Sequence, residues 1–168
     1  LLSSIVLASL SQARAKARDS RRVQDLIQLR NALEEYALDH DGLYPPRPVS
    51  SAWGSSCWDC DPSIWSSAYD GTKLSSALSI YLNPRPFDPF LSSGSDIFFG
   101  EINGRGYWYK VSVDRRNYKI GIMDTIENLN NIPNSMRDNV FSGFPAQPWS
   151  IALYSSNAQG WVWNTDYR

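Results

Sequence analysis

Two thiols stand at a spacing that does chemistry, Cys57 and Cys60 in Cys57-Trp58-Asp59-Cys60. Beside a βαβ pattern such a C-x-x-C suggests thiol redox work. With a second C-x-x-C it suggests zinc, but these are the chain's only 2 cysteines. The motif lies in a Ser- and Trp-rich loop over residues 49–72, outside any strand-to-helix turn, so no helix N-terminus lowers a thiolate pKa there. In an exported chain, a local disulfide that pins the loop is the plainest expectation. Free thiols, and redox or metal chemistry, are the alternatives. The lone histidine, His40, falls at an expected helix end, so no serine has a partner base. No Asp/Glu pair has an acid–base spacing, and no Gly-rich phosphate loop follows a strand. The chain therefore reads as a non-enzyme with no catalytic residue, metal or cofactor.

The 7 tryptophans are the other unusual resource. Trp161 and Trp163 flank Val162 and so share one strand face, the arrangement a sugar- or base-stacking platform uses. Core packing is the plainer role for such a pair. Asp124, Glu127 and Asp138 are spread among Asn128, Asn130 and Asn131 without the dense oxygen spacing that Ca²⁺ requires.

These groups need a scaffold, and one stretch dominates it. From Leu1 to about His40 neither Pro nor Gly intervenes, which predicts one helix of ~40 residues, ~60 Å long. Leu1, Leu2, Ile5, Val6, Leu7 and Leu10 make its start apolar, with no charge before Arg14. A basic cluster follows at Arg14, Lys16, Arg18, Arg21 and Arg22. Then Val23, Leu26, Ile27, Leu33 and Ala37 recur on one helical face, with Asp19 and Asp25 expected on the polar side. Gly42, with Pro45 beyond it, predicts the stop. A small domain cannot cover a helix of this length, so its first part should bury itself in something else. The apolar start alone is shorter than the ~20 residues of a membrane span.

The remainder reads as β-rich. A short helix is predicted over 73–82. A hairpin follows, with Tyr107, Tyr109, Val111 and Val113 on one face of the first strand and Tyr118, Ile120 and Ile122 on one face of the second. Residues 125–148 look irregular. A last hairpin is expected from Trp149, Ile151 and Leu153 to Trp161 and Trp163. The fold class is thus α+β, a long N-terminal helix packed by its second half on a small antiparallel sheet. Residues 1–22 form an apolar and basic half-helix, and residues 23–168 the head. A net charge of -1 argues against a general nucleic-acid binder. The basic cluster is free to meet anionic headgroups, nucleic acid, or Glu34, Glu35 and Asp39 of a neighbouring copy, or simply to be solvated.

Leu1-Leu2-Ser3-Ser4-Ile5-Val6-Leu7-Ala8, then Ala15 to Arg22, then Asp25-Leu26 through Leu33-Glu34-Glu35-Tyr36 and Gly42-Leu43-Tyr44-Pro45, resemble the N-terminal helix of type IV pilins and of type II secretion pseudopilins. Pro86-Phe87-Asp88-Pro89 and the Tyr107–Met123 hairpin are more loosely similar to the major pseudopilins. The resemblance implies a ladle-shaped subunit. Its apolar half-helix sits in inner-membrane lipid before assembly and then in the core of a helical homopolymer, either an extracellular pilus or a periplasmic pseudopilus. Its partners would be further copies of itself and the assembly machinery, with no specific nucleic acid. The family begins with an aromatic residue followed by a buried acid, and neither is present here, which implies about a dozen more apolar residues upstream of Leu1. The acidic Ca²⁺ loop of major pseudopilins is not matched, so no calcium site is expected. The competing expectations are a helix-tethered, Trp-rich adhesin or carbohydrate-binding module and, with Cys57 and Cys60, a tethered thiol oxidoreductase.

Overall fold

The computed structural model describes residues 2–46, 56–57, 74–84, 86, 106–112, 114–123, 125–137 and 151–158. Helix α1 runs over Leu2–Asp39 as one 38-residue element. It stops where the sequence predicts. Asp41 (φ 55) and Gly42 (φ 75) turn left-handed, and the Gly42 N–H reaches back to the Ala37 carbonyl at 2.8 Å. Glycine takes that conformation without steric cost.

Among the described residues, four antiparallel strands form a meander in the order β1-β2-β3-β4. Strand β1 is Ser56–Cys57; β2 is Gly106–Val111, β3 Tyr118–Met123 and β4 Ile151–Tyr154. The hairpin register sets Tyr107 opposite Ile122, Tyr109 opposite Ile120 and Val111 opposite Tyr118. Period-2 alternation therefore delivers all six to one face. Ile120 and Ile122 meet Leu153 and Ile151 of β4.

That face packs on the second half of α1. Val23, Leu26, Leu29, Ala32, Leu33, Tyr36 and Ala37 are buried with Tyr107, Tyr109, Tyr118, Ile120, Ile122 and Ile151 in one core. Ile27 and Val111 lie at its edge, while Val113 falls outside the described residues. The short helix predicted over 73–82 is a single turn, α2 at Leu74–Ala77, with Leu74 and Leu78 buried. Residues 125–137 are irregular, as expected, and hold 3-10 turns at Leu129–Asn131 and Asn134–Met136. Trp161 and Trp163, and with them the last hairpin's second strand, lie outside the described residues.

One expectation about polar residues needs correction. Asp19 and Asp25, assigned to the polar side of α1, are both buried, together with Arg22. Lys110 and Lys119, opposite each other on the other face of the hairpin, are buried as well. The hairpin is thus enclosed on both faces at this point.

Candidate functional site

Every carboxylate that α1 turns toward the head meets a donor there. Asp19 is the most completely bound. Its Oδ1 accepts from the Glu127 N–H at 3.0 Å and from Arg22 Nη1 at 2.9 Å, and its Oδ2 accepts from the Asn128 N–H at 3.0 Å and Asn131 Nδ2 at 2.9 Å. Such a carboxylate replaces water donor for donor, so it can be fully buried. Glu127 answers from the loop side. It accepts Arg18 Nε at 2.5 Å and Nη2 at 2.6 Å, a bidentate fork, with Arg22 Nη1 at 3.4 Å from the same carboxylate. Farther along, Tyr107 donates to Asp25 at 2.5 Å. Tyr118 and Tyr44 donate to the two oxygens of Glu34 at 2.8 and 3.0 Å, and Tyr81 donates to Asp39 at 2.8 Å.

This polar seam splits the predicted basic cluster. Arg18 and Arg22 belong to the head, and Arg21 lies 3.9 Å from Asp25. Arg14 and Lys16 stay exposed and take part in no ion pair among the described residues. The packed part of α1 therefore begins at Arg18 and Asp19, ahead of the sequence boundary at Val23.

Beyond that seam the helix leaves its own domain. Residues 4–14 are all exposed; Ile5, Val6 and Leu7 show 68%, 60% and 66% of their surface and Leu10 44%. The side chains of Leu1 and Leu2 lie outside the described set. Four large aliphatic side chains are thus exposed within six residues of helix that no described part of the head covers, which is what a docking face presents. No described helix is long and apolar enough to cross a membrane. No group of His, Cys, Asp and Glu capable of holding a metal occurs among the described residues. Cys57 pairs its backbone with Trp108 at the sheet edge, while Cys60 lies outside the described residues, so the disulfide does as well.

The seam fixes a pH window. The Arg18 hydrogen bonds hold the Glu127 carboxyl below its ordinary range against an opposing burial effect. A depressed carboxylate contributes stability that is complete above its ordinary pKa and lost as pH falls through the depressed one. Burial, followed by the Glu34 hydrogen bond, pushes Tyr44 up to about 12 and raises Tyr118 further still. Raised tyrosines contribute stability that is complete below their ordinary pKa and lost as pH climbs above it. Urea midpoints should thus be level from about pH 5 to 9 and fall on both sides. Glu127→Gln should shrink the acid limb; an unchanged acid limb in that variant would contradict the assignment.

Comparison of the chain with protein-family models, with curated proteins and with solved structures finds no match.

Proposed function

We propose that this chain is a structural subunit that polymerises into a type IV pilus or pseudopilus filament through the first half of α1. The observation that carries it is the exposed run of Ile5, Val6, Leu7 and Leu10 on a helix whose second half packs one face on its own head. The pilin-like N-terminal sequence, and the α+β arrangement of helix on antiparallel sheet, support the same assignment. In water, burying each such side chain is worth ~1.5–3 kcal/mol, so several together drive self-association. In a bilayer that drive vanishes and close helix packing takes over. One segment can then be stored in lipid and later gathered into a filament core. The subunit would be anchored in the inner membrane first and reside in an extracellular or periplasmic filament afterwards.

The test is Leu7→Asp with Leu10→Asp in the full chain. Both positions lie outside the core, so the melting profile should match the parent, while sedimentable filament should fall to background. Filaments formed as readily as by the parent would overturn the proposal.

A further inference from the structure

Helix α1 carries a charge gradient that its own peptide dipole does not favour. Residues 4–22 hold five cations and one anion, and residues 23–41 hold one cation and five anions. A helix dipole favours acids at its N-terminus and bases at its C-terminus, yet the last turn of α1 contains no base and does contain Asp39. Folding uses part of this charge, since Arg18 and Arg22 grip Glu127 and Asp19. The rest has no ion-pair partner among the described residues: Arg14 and Lys16 at one end, Glu35 and Asp41 at the other, all exposed. Leu38 sits within the acidic end and is 84% exposed.

Two copies of α1 side by side and in register would place cations against cations and acids against acids. A displacement along the axis removes both conflicts. We infer that the basic stretch Arg14–Arg21 of one copy docks on the acidic end Glu34–Asp41 of a second, parallel copy shifted by about 20 residues, ~30 Å. This displacement sets Arg14 and Lys16 beside Glu34 and Glu35, and Arg21 beside Asp41, and it brings Leu38 to the exposed Ala17. At this contact the charges choose the register, as electrostatic complementarity does at other interfaces. Anionic lipid headgroups could take up the basic stretch alone, but they would leave the acidic end and Leu38 without a partner. The inference rests on the filament proposal above and adds to it the contact between neighbours.

The test compares full chains at low salt. Arg14→Glu with Lys16→Glu, and separately Glu35→Lys with Asp39→Lys, should each raise the critical concentration for filament formation at least about tenfold, a loss of ~1.4 kcal/mol per contact. An equimolar mixture of the two variants should assemble again, because each then offers the charge the other lacks. A photo-crosslinking residue at Gln24 should not link to the same segment of a second copy. If the parent forms no filament, the filament proposal itself falls. If the parent and both variants assemble alike, only the docking register is overturned. The same holds if the basic-stretch variant loses nothing but binding to anionic vesicles, or if Gln24 links to Gln24 and so reveals helices without the displacement of about 20 residues.

Discussion

Asp19→Ala is expected to destabilise the fold by about 3–5 kcal/mol, the cost of removing one member of a buried ion pair. Asp19 accepts four hydrogen bonds, two of them from the backbone N–H groups of Glu127 and Asn128. Alanine would leave those donors unpaired inside the protein, and each orphaned group alone costs about 1–3 kcal/mol. Arg22, fully buried, would lose its 2.9 Å contact with Asp19. Asp19→Asn should lie between the parent and Asp19→Ala, because the amide retains one acceptor oxygen. Urea melts of the three chains decide the matter, and an Asp19→Ala midpoint equal to the parent's would show that the seam is ornamental. The same logic governs truncation. A chain that begins at Val23 discards Asp19 and Arg22 and should be less stable than one that begins at Lys16.

Leu33→Ala and Ile120→Ala should each cost about 2–5 kcal/mol, the range for emptying a large aliphatic site in a packed core. Leu33 is fully buried on α1 and Ile120 almost so on β3, both in the same cluster. Leu38 supplies the control on the same helix. It has the same side chain as Leu33 and 84% exposure, so Leu38→Ala should change stability by no more than about 0.5 kcal/mol. Three melts therefore test the facing of α1 without any assembly assay. Similar losses at Leu33 and Leu38 would mean that the helix is rotated from the orientation described here.

The sequence makes the apolar geometry legible because periodicity reports it directly. Val23, Leu26, Leu33 and Ala37 announce the packed face at helical spacing, and Tyr118, Ile120 and Ile122 announce theirs at spacing two. Gly42 marks the helix stop for a local reason, its freedom at positive φ. The polar seam is not legible in this way. Asp19 and Asp25 look like surface residues, since their burial depends on partners about 80 to 110 positions away, at Tyr107 and in the loop from Glu127 to Asn131. No periodic signal encodes such a pairing. The cluster Arg14, Lys16, Arg18, Arg21 and Arg22 is uniform as a sequence, yet the fold sorts it by helical angle into residues that hold the head and residues that do not. A carboxylate three positions before an arginine, Asp19 to Arg22, was the one available clue. The enclosure of Lys110 and Lys119 also escapes the hairpin's alternation, which by itself implies a solvent face for both.

The most direct measurement is an electron cryomicroscopy reconstruction of filaments formed by the full chain. The predicted result is an axial bundle of α1 helices in which Ile5, Val6, Leu7 and Leu10 contact neighbouring helices, with the sheets outside and adjacent helices displaced by ~30 Å. Filaments held together by head-to-head contacts, with residues 4–14 of α1 still facing solvent, would contradict the account, as would a full chain that remains monomeric.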